Sequence, residues 1–328
     1  MRKTIMYGIL LALALFLLVM AFVPSIDDFA LDNPLWNGMS LFKEYFGAQP
    51  ITVSNVQNLR GGSILFIIGP SKNFTRGEAS ILANYVSRGG VLVVADDFGS
   101  ANSLLKYMGL NIWINGSLLA DPLFKYRSMY LPQVSVSVEN TTLRIYYDYG
   151  SFIEAPSGGG KCIGYSSFFS YIDTNMNKKH DPDEPYGPFC TVYMRHIGKG
   201  TIYVISDSSI LINSMINKGD NKAFIKEIIS DNKVYVVTDK LFLSPYTILR
   251  NNLAYTVTLL LTTSLRYPVA IVLSITSYYA GKYFYNEITG RKTSSLEAKK
   301  IVEKIILQHP TWDPHVLQKL IEEVESDG

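Results

Sequence analysis

Hydrophobic positions form three patterns along this chain. Unbroken apolar runs of strand length recur at "SILFIIGP" (63–70), "VLVVAD" (91–96), "TIYVISD" (201–207) and "VYVVTD" (234–239). Between them lie segments of helical period: "RGEASILANYVSRGG", a helix starting near Ser208, and another across "NKAFIKEIIS". Strands without polar alternation are buried on both faces, and their alternation with amphipathic helices predicts a parallel sheet covered on each side. Residues 111–195 read differently. There "VSVSVE" and "TLRIYYDYG" alternate with period two among Pro, Gly and Ser, which predicts half-buried strands. The fold class expected is α/β, a doubly wound, mostly parallel sheet with a β-rich insertion at 111–195.

The third pattern is continuous hydrophobicity. Ile5 to Val23 carries no charge over 19 residues, behind Arg2 and Lys3, close to the roughly 20 that cross a bilayer as a helix. A cleaved signal peptide is the rival reading, but its apolar region is shorter and no small-x-small site precedes Pro24. A second uncharged region, 251–281, is interrupted only by Arg266. Centring a span near 264 would bury that guanidinium at about 2.5–3.5 kcal/mol. A span over 266–286 instead leaves Arg266 at one interface and Lys282 snorkelling near the other. The expected organisation is therefore a transmembrane anchor at 1–24, an extracytoplasmic domain at 25–250, an interfacial helix at 251–265, a second transmembrane helix at 266–286 and a helical tail at 287–328.

Basic residues set the expected orientation. Arg2 and Lys3 flank the first span, and Lys282, Arg291, Lys292, Lys299 and Lys300 follow the second. Short basic flanks stay in the cytoplasm, so both termini are expected inside and the main domain outside the cell membrane. In the tail, "SSLEAKKIVEKIILQ" places Leu296, Ile301, Val302, Ile305 and Ile306 on one face. Asp313 and Pro314 then open a second amphipathic helix through Leu317 and Leu320. Such a pair either closes on itself, lies on the membrane surface or docks a cytoplasmic partner.

Composition adds little about partners. The chain has 328 residues, 48% of them hydrophobic, and a net charge of +2, so it can bury a large core and has no general attraction for nucleic acid. Three glycosylation sequons begin at Asn73, Asn115 and Asn140, all between the two spans. The only two cysteines, Cys162 and Cys190, lie there too. An even count in an oxidising compartment argues for a disulfide; two separate buried thiols are the alternative.

One loop has metal-ligand spacing. "DTNMNKKHDPDE" offers side-chain oxygens from Asp173, Asn175, Asn177, Asp181 and Glu184 at its positions 1, 3, 5, 9 and 12, and the backbone carbonyl of Lys179 at 7. That is how a 12-residue loop wraps calcium. Lys178 stands at the sixth place, where glycine permits the sharp turn, and Pro182 and Pro185 rule out a following helix. A solvated Asx-rich turn is the alternative.

Three blocks, "YVSRGGVLVVADDFGSANSLLKYMGL", "YIDTNMNKKHDPDEPYGPF" and "ISDSSILINSMINKGDNKAFI", resemble a prokaryotic, largely archaeal, membrane-anchored family of unknown function. The resemblance covers most of 50–230 and extends to "HPTWD" in the tail. It implies an outer domain similar to the class I glutamine amidotransferase fold. It also implies association with a membrane assembly, as such proteins are often encoded beside MoxR-type AAA ATPases. Many members carry glycine where this chain has Lys178.

The chemistry of an enzyme is hard to assemble. An amidotransferase needs a cysteine nucleophile on the turn after its central strand, yet "VLVVA" runs into Asp96, Asp97, Phe98, Gly99 and Ser100. No G-x-S-x-G occurs, and His180 and His196 have no zinc spacing. "SGGGKC" lacks the first glycine and the final Ser or Thr of a phosphate loop. What remains is a polar rim at the strand carboxyl ends: Asp96, Asp97, Ser100, Asp207, Ser208 and Asp239. Open α/β sheets bind ligands along that edge, although Asp and Ser there also cap helices. The sequence thus points to a non-enzymatic, membrane-anchored binding or scaffold protein with a calcium-stabilised outer domain. The alternative is a divergent cell-surface hydrolase using Asp96, Asp97 and Asp207.

Overall fold

The computed structural model describes residues 2–59, 62–138, 141–155 and 159–309, with isolated positions beyond. Asn140, Pro314, Leu317 and Leu320 lie outside the described residues. The chain divides into two compact units, Met1–Asn252 and Leu253–Gly328.

In chain order the first unit contains α1 (Arg2–Phe22), α2 (Ser40–Phe46), β1 (Gln49–Ile51), β2 (Ser63–Ile68), α3 (Arg76–Ser87), β3 (Val91–Ala95) and α4 (Asn102–Tyr107). Short strands follow: β4 (Trp113–Ile114), β5 (Leu118–Ala120), β6 (Gln133–Val138), β7 (Thr141–Tyr146), β8 (Ile153–Glu154), β9 (Lys161–Tyr165) and β10 (Tyr171–Asp173). The unit ends with β11 (Cys190–Ile197), β12 (Gly200–Ile205), α5 (Asn221–Ile229), β13 (Lys233–Val237) and the start of α6 (Pro245–Thr262). Nine strands make one sheet in the order β1-β13-β2-β3-β12-β11-β9-β6-β7. From β1 to β12 the neighbours are parallel. From β12 to β7 they are antiparallel. The expected insertion therefore does not stand apart: its longer strands extend the central sheet.

The unbroken apolar runs are explained by two cores. Ile64, Phe66 and Ile68 of β2 pack on the side of α2 and α5 with Phe42, Phe224 and Ile225. Leu65 and Ile67 face the other side with Leu82 and Val86 of α3 and Leu104 and Leu105 of α4. Alternate residues point to opposite faces, and here both faces are covered. Phe66 alone, fully buried and edge-on to Phe42 at 5.2 Å, stabilises by about 1.5–3 kcal/mol. Thr75 and Glu78 open α3 with a reciprocal capping box, which satisfies two otherwise orphaned N–H groups.

Cys162 on β9 and Cys190 on β11 form the disulfide, with Cα atoms 5.8 Å apart and a sequence separation of 28. Closing that loop limits the unfolded chain by about 3–4 kcal/mol.

Three elements differ from expectation. Only a single turn of 3-10 helix, Ser209–Leu211, follows Ser208. The Asn213 side chain instead accepts from Leu41 N and donates to the carbonyls of Asn33 and Leu35, so this stretch is spent on the N-terminal segment. The helix expected at 251–265 begins earlier, at Pro245. In the second unit, α7 (Arg266–Gln308) runs 43 residues without a break at the expected tail boundary. Among the described residues no single helix is long and apolar enough to cross a membrane, but Pro245–Thr262 and Arg266–Asn286, bent by 96°, meet the requirement together.

Candidate binding cleft at the strand carboxyl edge

Strands β3 and β12 are parallel neighbours, with Ala95 opposite Ile205. The residues that follow must therefore emerge side by side: Asp96 and Asp97 from one strand, Ser206, Asp207 and Ser208 from the other. Asp97 clamps the two turns together, accepting from Ser208 N and Ser208 Oγ, each at 2.6 Å. Asp96 caps its own turn, accepting from Phe98 N at 3.2 Å and Ala101 N at 2.7 Å. Asp207 accepts from Asp148 N at 2.5 Å and Ser209 N at 2.6 Å, which ties β12 to the chain leaving β7. That approach requires Gly150, because a Cβ there would stand 2.6 Å from the Tyr147 ring and 2.8 Å from Asp207 Cβ.

The electrostatics follow from burial. Desolvation, together with the nearby charge of Asp96, pushes the Asp97 carboxyl up to about 7, against hydrogen bonds from Ser208 and Asp207 that favour its ionised form. Asp207 is fully buried and is pushed well above the usual carboxylate range by desolvation and then by the charge of Asp97. Burial also raises Asp96 and the half-buried Asp148. No arginine, lysine or histidine figures among the causes of any of these shifts, so the cluster holds protons that isolated carboxyls would release.

A cleft of about 530 Å³ opens above these turns. Asp96, Asp97, Ser100 and Ser208 line it as the sequence predicted, while Asp207 lies behind it and supports Asp148. Asp239 is elsewhere, its carboxylate accepting from Val53 N. Sequence reading missed Asp28 and Asp148 and the rings of Phe29, Trp36, Phe98, Tyr149 and Phe242. "YYDYG" reads as the tail of a strand, but Tyr149 takes φ +58°, and the turn at that Tyr-Gly step was the available signal.

The loop at 173–184 does adopt a tight turn, with Lys178 at φ +65°, the left-handed conformation glycine would supply at the sixth place. Asp173 accepts from Asn177 N, Lys178 N and Tyr130 Oη. Glu184 accepts from Thr174 N and Asp181 N, while the amides of Asn175 and Asn177 donate to Asp181. The backbone thus fits the calcium-loop turn, and the carboxylates are held by N–H groups. Among the described residues no three or more His, Cys, Asp or Glu side chains are gathered as a metal site. Of the sequons, Asn73 is exposed, whereas the Asn115 side chain is engaged by Glu154 and by Ser117 N.

The carboxyl pair has a consequence for stability. Asp97 and Asp207 bind protons more tightly folded than unfolded, where such carboxyls titrate near 3.8. The Asp97 contribution is therefore full below that value and is lost as pH rises through about 7, and that of Asp207, raised by burial, has the same sign. The thermal midpoint of the full chain should fall between about pH 5 and about pH 8. Asp97→Asn, whose amide can serve both Ser208 contacts, should fall by less; an equal slope in the two proteins would show that this carboxyl titrates normally.

No curated relative matches the chain. Among solved structures it is similar to the N-terminal domain titled mmIFT52, at 16% identity and TM-score 0.43, over 55% of this chain and 81% of that one. It is also similar to the exo-beta-1,4-mannosidase Op5Man5 from Opitutaceae bacterium strain TAV5, at 14% identity and TM-score 0.29, over 52% of this chain and 26% of that one. A beta-galactosidase from Bacillus circulans sp. alkalophilus matches at 12% identity and TM-score 0.30, over 52% and 23%. The chain spans about a quarter of each glycosidase, and likenesses at this level carry neither substrate nor activity across. The family is shown by the model that matches residues 32–229, more than half of the sequence: this chain belongs to the family described as a domain of unknown function, DUF4350.

Proposed function

We propose that this chain is a membrane-tethered binding protein whose outer domain, residues 25–250, presents the cleft at the strand carboxyl edge to a small polar ligand. The cleft is the observation that carries this reading: it combines buried carboxyls, serine hydroxyls and exposed rings in one concavity, as ligand sites do. Both cysteines of the chain are joined in the disulfide, and the turn after β3 offers Asp96 and Asp97 where an amidotransferase-like fold would place its thiol. Native mass spectrometry of the full chain, purified from its own membrane, should find a small-molecule adduct. Ser100→Trp, which fills the cleft, should abolish it, and Phe168→Ala, an exposed ring elsewhere, should not; an adduct untouched by Ser100→Trp would move the site.

Membrane tethering is supported by how the two ends of the domain meet. Ser25 Oγ lies 2.8 Å from Thr247 Oγ1, Ser244 N donates to Asp27 at 2.8 Å, and Arg250 pairs with Asp32 at 2.5 Å. The segment after α1 and the start of α6 therefore lie together, and apolar segments leaving one spot can enter one membrane. Basic residues of α7 and the tail then lie in the cytoplasm, where an AAA ATPase of the MoxR type, as the family resemblance implies, is the proposed partner. A cysteine introduced by Phe168→Cys should react with a membrane-impermeant maleimide on intact cells, and one from Lys304→Cys only after permeabilisation; the reverse pattern would invert the topology.

Calcium is the proposed ligand of the loop at 173–184, supported by the oxygen spacing and the backbone of Lys178. An ion at a hundred times its Kd should stabilise the domain by about 2.7 kcal/mol. That rise in thermal midpoint should vanish with chelator or with Asp173→Ala, and a midpoint indifferent to calcium would leave the loop as a hydrogen-bonded turn.

Asp97, titrating near neutrality, also suits a general acid, which keeps a hydrolase as the second reading. Against it, both oxygens of Asp97 are held by Ser208.

A further inference from the structure

The lining of the cleft selects among ligand classes. Four acidic residues line it, Asp28, Asp96, Asp97 and Asp148, and none of its lining residues is lysine, arginine or histidine. Two lysines flank lining residues in the chain: Lys72, which follows Ser71 and is exposed, and Lys240, which is committed to Glu78 at 2.6 Å and to Asn73 O. An anionic ligand would meet acidic residues with no cation in the lining to offset them. A neutral, hydroxyl-rich ligand would need donors as well as acceptors, and several are committed: the Ser208 hydroxyl to Asp97, the Ser71 hydroxyl to Lys240 O and the Asn37 amide to Asp28 and Ile26 O, which leaves the hydroxyls of Ser100 and Ser209.

The rings argue independently. Trp36, Phe98 and Phe242 line the cleft and are 68%, 75% and 68% exposed, while Tyr149 and Phe29 complete the wall. Aromatic faces beside carboxylates are the surroundings in which an ammonium group is held, the rings attracting it through their quadrupoles and the acids through charge. Asp148 is placed for the direct contact: it is half-buried, lines the cleft and, among the described residues, its carboxyl accepts no hydrogen bond.

We propose that the cleft binds an organic ammonium ion, a protonated amine or a quaternary ammonium group, seated between Asp148 and the rings of Trp36 and Tyr149. The assignment rests on the binding reading above and names its ligand class. Asp97 and Asp207 lie beneath as a reserve of negative charge, facing Asp96, Asp148, Ser208 and Tyr147 with no cation among them. A cation above favours their ionised forms, so binding releases protons and tightens as pH rises. The cleft also lies next to the tethers, as Asp28 follows Asp27 and Phe242 precedes Ser244 by two residues. The ammonium can thus come from a soluble amine or from a lipid headgroup.

Isothermal titration of the full chain in detergent tests this with choline and cadaverine as cations, dimethylbutanol as the uncharged isostere of choline, and galactose as the neutral sugar. Choline or cadaverine should bind at least about tenfold tighter than the isostere. Asp148→Asn and Trp36→Ala should each weaken binding about tenfold, and affinity should rise from about pH 5.5 to about pH 8 with a heat that depends on the buffer. Equal binding of the isostere, or no binding of either cation, overturns the proposal. Galactose binding that Trp36→Ala removes would overturn it as well, while leaving the binding cleft itself intact. Repeating the titration in nanodiscs separates the sources: choline binding lost only in phosphatidylcholine identifies a headgroup ligand, and binding equal in phosphatidylglycerol identifies a soluble one, both upholding the ammonium class.

Discussion

The parallel pairing of β3 with β12 is the constraint on which the site depends. Because Ala95 lies opposite Ile205, two acidic turns must leave the sheet at the same level, and Asp97 joins them through Ser208. Bringing Asp96, Asp97 and Asp207 under one roof of protein without a cation has an electrostatic cost, which the site meets by holding protons. The remainder of the cleft is arranged around that clamp. Asp207 positions the chain at Asp148, and Gly150 allows the two to approach.

The antiparallel half of the sheet contributes to the same place by a different route. β6, β7, β9 and β11 extend the sheet beyond β12, and the chain leaving β7 returns to the carboxyl edge with Asp148 and Tyr149. The disulfide between β9 and β11 fixes two neighbouring strands of this half. On the other side, Trp36 and Phe29 reach the cleft because the N-terminal segment is held by Asn213 and by the Asp27 contact with Ser244. The cleft is therefore assembled from the parallel edge, the insertion and the N-terminal segment.

Much of this was legible in the sequence, and the exceptions have physical reasons. The runs at 63–70, 91–96, 201–207 and 234–239 declared themselves as the strands β2, β3, β12 and β13 because both faces are buried. Asp96, Asp97 and Ser208 could be placed at the edge because each follows such a run. Asp28 and Asp148 could not, since no periodicity says which loop returns to a sheet edge. The aromatic rim was hidden for the same reason: Trp36, Phe98 and Phe242 lie in irregular segments that tertiary contacts position. The helix expected after Ser208 failed because the side chains of Ser208 and Asn213 bond to other parts of the chain, a competition that local pattern does not record.

A direct test of the clamp is the carboxyl carbon chemical shift of Asp97, followed by NMR against pH in the full chain. A buried carboxyl coupled to Asp207 and lacking a cationic neighbour should titrate with a midpoint of about 7. A midpoint at the ordinary carboxylate value, with no response in Asp207→Ala, would mean that the two turns do not share their charge and that the cleft has no such acidic floor.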